Sequence, residues 1–375
     1  MPARAEQASI DVRHMARAVA LARRGLYTTA PNPRVGCVIA RGERVLASGF
    51  HHRAGEAHAE AAALQAASES LAGCTAYVTL EPCSHHGRTP PCAEALVSSG
   101  VTRVVIGSLD PNPLVAGRGV ELLREHGIDV DCGVLERVAR ALNPGFFKRM
   151  LTGLPLVRVK LAMSLDGRTA MADGSSKWIT AAAARADVQR LRARSCAIVT
   201  GVGTVLHDDP RLDVRLASEH GELADIRQPL RVVVDSRART PSGARVLECG
   251  GGVIVASTGV DANRERALAA AGAMLLHVPG KDAQVDLRAL LEHLGSLQCN
   301  EVLIEAGPTL AGAALHGGLV DELVLYVAPV LLGSAARPLF VLPLLTMDDG
   351  VRLRVTDTTA VGDDWRITAA VGDTA

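Results

Sequence analysis

Apolar residues recur along the first 150 positions with two periods that alternate. Met15, Val19 and Ala22 share one face of a helical repeat whose start Asp11 can cap, which predicts a helix from Asp11 to Gly25. A strand pair follows at Val35–Ala40 and Arg44–Gly49, turned at Arg41-Gly42-Glu43. Helices are then predicted at Ala57–Ser68, from Pro91 onward, at Gly119–Glu125 and at Leu135–Leu142. Strands at Thr75–Leu80, Arg103–Gly107 and Ile128–Cys132 alternate with them, and such alternation implies a sheet covered on both faces. Asn143-Pro144-Gly145 ends the pattern, and Thr152-Gly153-Leu154-Pro155 marks a boundary.

The pattern restarts beyond that boundary. Strands are predicted at Leu156–Met163, Ala197–Thr200, Arg231–Asp235, Val253–Ala256, Ala273–Val278, Glu301–Glu305, Glu322–Val327 and Trp365–Ala370. Helices fit Ala181–Ala193, Asn263–Ala271, Asp286–Leu294 and Pro308–His316. Two α/β domains are therefore expected, residues 1–150 and 151–375, each of ordinary size for a domain.

Composition narrows the choice of partner. Lys+Arg and Asp+Glu number 40 each, and that balance argues against a chain that tracks nucleic-acid phosphates. Four Phe, three Tyr and two Trp supply few platforms for base stacking, so no nucleic-acid partner is expected. The N-terminus lacks an apolar signal core, and no apolar run reaches the roughly 18 residues of a spanning helix. A cytoplasmic protein without a membrane partner is the expectation. Eight Cys are too few for a disulfide scaffold and are expected as thiols or metal ligands.

Three short segments of the first half carry chemistry together. His58-Ala59-Glu60 opens a helix, Pro82-Cys83 follows a strand, and Pro91-Cys92 opens the next helix. One imidazole and two thiolates hold zinc tetrahedrally and leave a fourth position for water, whose pKa zinc brings towards 7. Residues two apart on a helix diverge by about 200°, so His58 and Glu60 can both face a metal only if they straddle the helix start. Glu60 is then placed to take the water's proton and deliver it to a leaving amine. The competing reading is a closed zinc site with Cys37, Cys74, His85 or His86 as fourth ligand, which leaves Glu60 without a task. Cys37, Cys74 and Cys132 sit in strand-like or turn contexts and read as core or incidental thiols.

The His-x-Glu and Pro-Cys pattern resembles that of zinc-dependent nucleobase deaminases. Eight residues between Cys83 and Cys92 depart from the usual C-x-x-C and narrow the match. The segment Ser84–Pro91, together with Pro31-Asn32-Pro33-Arg34-Val35-Gly36-Cys37-Val38, is similar to the deaminase domain of the bifunctional riboflavin-biosynthesis deaminase/reductases. So are Asp110-Pro111-Asn112-Pro113 and Gly117-Arg118-Gly119. The resemblance implies a cytidine-deaminase-like three-layer domain, with Asn32, His51, His85, Arg88, Asp110 and Asn112 as substrate contacts. A phosphorylated substrate needs a cationic partner, which Arg88 could supply.

The second half has no Gly-x-Gly-x-x-Gly after a strand; Gly201-Val202-Gly203-Thr204 stops short. Three segments still look like ligand loops: Ser164-Leu165-Asp166-Gly167-Arg168, the stretch from Thr204 to Pro210, and Glu305-Ala306-Gly307-Pro308-Thr309. They resemble the reductase domain of the same family, which is similar in fold to dihydrofolate reductase and binds NADPH without that glycine fingerprint. The resemblance implies cofactor contacts at Ala162, Trp178, Thr204, Asp208, Ser236, Gly307, Pro308 and Thr309. Substrate contacts are implied at Ser176, Arg192, Leu212, Arg215 and Glu305, with Arg192 and Arg215 on the ribose phosphate. Arg237 or Arg239 could favour a 2′-phosphate. Read without the family, Arg192 is a solvated helix-face residue, Trp178 belongs to a core, and Asp166-Gly167 is a hairpin turn. Lys160 stands out because only four residues are Lys against 36 Arg.

Zinc and NADPH are thus the expected cofactors, a pyrimidine ribose phosphate the expected substrate, and a homo-oligomer the expected state. The implied reactions are hydrolytic deamination of a diaminopyrimidine, then reduction of its ribosyl group to ribityl. The rivals are a tRNA or nucleoside deaminase with an accessory nucleotide-binding domain, and a zinc-stapled binding module without activity.

Overall fold

The computed structural model describes residues 2–84, 91–113, 115–216, 226–259 and 261–372. The chain divides into two compact units, Met1–Gly153 and Leu154–Ala375.

The first unit runs α1 (Pro2–Arg23), β1 (Gly36–Arg41), β2 (Arg44–Phe50), α2 (Ala59–Gln65), β3 (Thr75–Leu80) and α3 (Cys92–Ser98). It continues with β4 (Arg103–Ser108), α4 (Arg118–Glu125), β5 (Asp129–Cys132), α5 (Glu136–Arg140) and α6 (Pro144–Thr152). The sheet order is β2-β1-β3-β4-β5, with β1 antiparallel to both neighbours and β3, β4 and β5 parallel. Alternate residues of the central strands face opposite layers. Cys37, Ile39, Val78, Val104 and Ile106 pack with Ala59, Ala63, Ala93, Leu96 and Leu123 of α2, α3 and α4. Val38, Ala40, Tyr77 and Val105 pack with Met15 and Ala18 of α1. The expected three layers are present.

Two helices differ from the sequence reading. α1 starts at Pro2 rather than at Asp11, because the Ala-, Glu- and Gln-rich run before Asp11 propagates a helix and Pro is tolerated in a first turn. Asp11 caps nothing; its buried carboxylate accepts bonds from Arg103 and the Tyr77 hydroxyl. Asn143-Pro144 does not close the pattern but opens α6, with Pro at the first helical position. The Asn143 side chain bonds both the N–H and the C=O of Arg34, and Phe146 and Phe147 pack with Leu80.

One glycine sets the spacing around α2. A Cβ on Gly49 in β2 would lie 2.5 Å from the Ala63 nitrogen and 2.7 Å from the Ala59 oxygen. The helix rests directly on the strand.

The second unit contains β6 (Leu156–Ser164), β7 (Arg168–Ala170), α7 (Ala182–Arg194), β8 (Ala197–Gly201), α8 (Val202–Asp208) and β9 (Leu230–Val234). Then come β10 (Val253–Ser257), α9 (Ala262–Ala270), β11 (Met274–His277), α10 (Leu287–Ser296), β12 (Glu301–Ile304) and α11 (Pro308–His316). β13 (Glu322–Ala328), β14 (Arg337–Pro338), β15 (Leu353–Val361) and β16 (Asp364–Val371) complete it. Its nine-stranded sheet has the order β11-β10-β9-β8-β12-β6-β13-β16-β15. The strands from β11 to β13 are parallel, so their carboxyl ends share one edge, where open α/β sheets hold ligands. β16 and β15 add an antiparallel pair beyond β13.

The sequence reading placed a loop at Thr204–Pro210 and no strand at 353–361. Instead α8 forms, anchored by buried Val202 and Val205, which lie one helical turn apart. β15 carries a register shift between Val355 and Asp357 that breaks its period-two signal. Asp166-Gly167 turns the chain between β6 and β7, yet β7 pairs with β14, so the turn closes no hairpin.

Candidate active sites

In the first unit, one strand end and two helix starts converge. His58 is the N-cap of α2 in extended conformation, and Glu60 is the second residue of the helix. Pro91 caps α3, which makes Cys92 its first residue. Cys83 follows β3 by three residues. His58 Nδ1 lies 3.6 Å from Cys83 Sγ and 3.3 Å from Cys92 Sγ, and the Cys92 N–H donates to Cys83 Sγ at 3.3 Å. Tetrahedral zinc with ordinary Zn–S and Zn–N bonds sets its N and S ligands about 3.6 Å apart, so the three residues fit the ion. They are the only such group among the described residues.

The electrostatics suit a dication. Hydrogen bonds from Cys92 and His58 hold the Cys83 thiol well below its ordinary range, while the bond to Cys83 and burial push Cys92 up. Burial pushes the Glu60 carboxyl up to about 7; Cys83 adds to the rise, and His58 and Cys92 oppose it. Glu60 is 3% exposed. Cys37 and Cys74 lie in the apolar core, and burial raises the Cys37 thiol well above its ordinary range. Neither joins the metal group among the described residues. Cys132 is an exposed free thiol.

His51 and Asn32 stand beside His58. The two imidazoles meet edge to face, with centroids 5.4 Å apart. Burial holds the His51 pKa below its usual value, which favours the neutral ring. Its Nδ1 faces the Ala57 carbonyl at 3.0 Å, and Asn32 Nδ2 donates to Nε2 at 3.1 Å. That assignment turns the Asn32 carbonyl oxygen away from His51. Asp110 and Asn112 occupy the loop after β4, where Asp110 Oδ1 accepts the Asn112 N–H. His85 and Arg88 lie outside the described residues, as does His86. Glu81 was missed: it directly precedes Pro82-Cys83, and four backbone N–H groups converge on its carboxylate.

In the second unit, the candidates lie mostly near the carboxyl edge of the parallel strands. Arg192 is not the solvated helix residue its neighbours suggested. Its Nε and Nη2 grip Glu305 at 2.7 and 3.0 Å, and Nη1 donates to the Asp213 carbonyl. Lys160 is held below its usual pKa by burial, partly offset by Glu305 and reinforced by Arg192. Arg215 is exposed, and its Nε lies 3.3 Å from Asp213 Oδ1, which Arg211 flanks on Oδ2. The Leu212 side chain packs in the core, so a ligand contact there falls to its backbone.

Trp178 is 70% exposed and not part of a core; the Arg185 guanidinium lies over its ring at 4.7 Å. Lys177 pairs with Asp208 at 3.8 Å and His207 Nε2 contacts the Gly174 carbonyl, so the 174–178 loop docks on α8, which bears Thr204. Half-buried Ser176 lies in that same loop. Gly307 caps α11, with Pro308 and Thr309 in its first turn, and Ala162 sits half-buried on β6. Ser236 follows β9; its hydroxyl donates to Gln284 and accepts the Val285 N–H. Arg237 and Arg239 are exposed beside it.

Comparison with known proteins agrees with both halves. Residues 8–108 match the cytidine and deoxycytidylate deaminase zinc-binding region, and residues 155–367 match the RibD C-terminal domain. The riboflavin biosynthesis protein RibD of Escherichia coli K12 is 49% identical over 361 residues, covering 94% of this chain and 97% of that one. Its Haemophilus influenzae counterpart is 43% identical over 378 residues, 97% of this chain and 98% of that one. Acinetobacter baumannii RibD superposes with a TM-score of 0.91 at 46% identity, covering 98% of this chain and all of that one. A Thermotoga maritima diaminohydroxyphosphoribosylaminopyrimidine deaminase/5-amino-6-(5-phosphoribosylamino)uracil reductase gives 0.86 at 31% identity, with the same coverage.

Proposed function

The chain belongs to the bifunctional RibD family of riboflavin-biosynthesis deaminase/reductases, and on that premise we propose how its residues divide the two reactions. The deaminase hydrolyses the 2-amino group of 2,5-diamino-6-(5-phosphoribosylamino)pyrimidin-4-one. The reductase then converts the ribosyl group of 5-amino-6-(5-phosphoribosylamino)uracil to ribityl with NADPH.

The observation that carries the first assignment is the convergence of His58, Cys83 and Cys92 with buried Glu60 behind them. Zinc held by the three ligands supplies the Lewis acidity that makes water a nucleophile at neutral pH. Glu60 takes a proton from the attacking water and returns it to the departing amine, a task that its burial in the first turn of α2, two residues from His58, suits. Asn32, held by His51, presents its carbonyl oxygen to the pyrimidine. Asp110 and Asn112 contact the pyrimidine from the loop after β4, and Arg88 meets the phosphate.

In the second unit, NADPH supplies the hydride. We place it along the carboxyl edge through Ala162, Trp178, Thr204, Asp208, Ser236 and the Gly307–Thr309 turn. Ser176 and Leu212 line the substrate side. Arg215 is the phosphate partner, because Asp213 steadies its Nε while most of the side chain stays in solvent. Arg192 is committed to Glu305 and orients that carboxylate toward the substrate. Each activity belongs to one unit, with the division at Gly153–Leu154.

None of the eight cysteines forms a disulfide, which suits a reducing cytoplasm, and among the described residues no helix is long and apolar enough to cross a membrane. Leu353, Val355 and Trp365 lie exposed on one face of β15 and β16, which favours a homo-oligomer that covers them. Neutral charge and few aromatics speak against a nucleic-acid partner. The decisive assay couples ammonia release and NADPH oxidation on the diaminopyrimidine phosphate. Ammonia without NADPH loss would remove the second assignment, and neither signal would remove both.

A further inference from the structure

Glu81 is 4% exposed and follows β3, two residues before the ligand Cys83. Its Oε2 accepts the N–H groups of Asp110 at 3.2 Å and Gly117 at 3.0 Å. Its Oε1 accepts those of Gly119 at 3.0 Å and Val120 at 3.3 Å. Two separate tasks meet in this one carboxylate. The first pair of bonds ties both ends of the 110–117 loop to the strand that delivers Cys83. The second caps α4, whose own N-cap, Gly117, has no side chain with which to do so.

The fit is close. A Cβ on Gly119 would lie 2.2 Å from the Pro82 oxygen, so the start of α4 lies flush against the peptide that leads to the metal ligand. Asp110 in turn holds the Asn112 N–H through its own carboxylate. The Glu81 side chain is thus a buried link between the strand that delivers Cys83 and the Asp110–Asn112 turn, alongside the β3–β4 ladder and the bond from its own N–H to the Ser108 carbonyl.

We propose that Glu81 is a positioning residue of the deaminase, holding the Asp110–Asn112 turn in register with the metal ligands so that the pyrimidine is presented to Glu60. This rests on the reading of Asp110 and Asn112 as pyrimidine contacts. A carboxylate satisfies four N–H donors with charge-assisted bonds, whereas the amide of Glu81→Gln faces two of them with its own N–H₂.

The test uses the full chain loaded with zinc. Glu81→Gln is expected to lower deaminase kcat/KM by about 10- to 100-fold, the range seen when a supporting partner of a metal site is lost. The loss should fall mainly on KM, with zinc content and NADPH-dependent reductase activity unchanged. Glu81→Asp keeps the charge on a shorter stem and should recover part of the loss. In an Asn112→Ala background, Glu81→Gln should cost far less than it does alone, because both act through one contact. Unchanged KM in Glu81→Gln would overturn the proposal. So would fully additive losses, or zinc and reductase activity falling with deamination in both the Gln and Asp variants. Absence of ammonia release from the unsubstituted chain would strike the deaminase assignment instead.

Discussion

The two units solve opposite geometric problems. In the first, the candidate ligand atoms of His58, Cys83 and Cys92 lie within 4.8 Å of one another, and Glu60 sits two residues from one of them. In the second, the candidate residues spread from Ala162 to Thr309 across several strand ends, and their charges neutralise one another: Arg192 with Glu305, Arg215 with Asp213, Lys177 with Asp208. An ion is a point, so every ligand must reach the same place. A dinucleotide and a sugar phosphate are long, so their contacts are shared among many residues, each separately of modest weight. The first site should therefore fail abruptly on single substitutions and the second by degrees.

The most drastic test is Cys83→Ser, which should abolish both zinc binding and ammonia release while the reductase persists; elemental analysis and the two activity assays read this directly. Retained stoichiometric zinc would mean that the ligand set is wrong. Glu60→Gln sharpens the same contrast, because it should keep zinc yet lower deamination by about 10²- to 10⁴-fold. Near-normal ammonia release would remove Glu60 from proton transfer.

Arg192→Ala tests whether the second unit contains a single point of failure after all. It leaves Glu305 buried beside Lys160, and breaking one side of a buried pair typically costs about 3–5 kcal/mol. Chemical denaturation followed on the second unit should show that loss, and an unchanged midpoint would make the Arg192–Glu305 pair irrelevant to stability. The gentlest change is Ser236→Asp, which places like charge where the cofactor's 2′-phosphate is proposed to lie. The NADPH-to-NADH ratio of kcat/KM should drop by about tenfold, equivalent to about 1.4 kcal/mol. A constant ratio would move the 2′-phosphate away from Ser236, and an initial preference for NADH would contradict the family's cofactor.

The same contrast explains what the sequence disclosed. The grouping of His58, Cys83 and Cys92 was readable because metal ligation restricts residue type, and the placement of Glu60 beside it because a helix start lets an i, i+2 pair face one point. Buried β1, β3 and β4 were readable from their apolar runs. Glu81 was not, since its task depends on backbone N–H groups up to 39 residues away, which leave no mark on side-chain identity. Arg192 was masked by Arg190 and Arg194, because residues two apart on one helix carry the same charge while facing different surroundings. α8 was hidden by Gly203 and three β-branched residues of low helix propensity, and it is sustained by burying Val202 and Val205. β15 was concealed by its bulge.

Gly49 gives the metal centre a dimension that no ligand determines. The backbone of α2 rests where a methyl group would otherwise be, and His58 and Glu60 travel with that helix. The depth of the catalytic floor is therefore fixed by a missing carbon. Enlarging position 49 would shift α2 and carry Glu60, the proposed proton carrier, with it before any contact to a bound ring was changed.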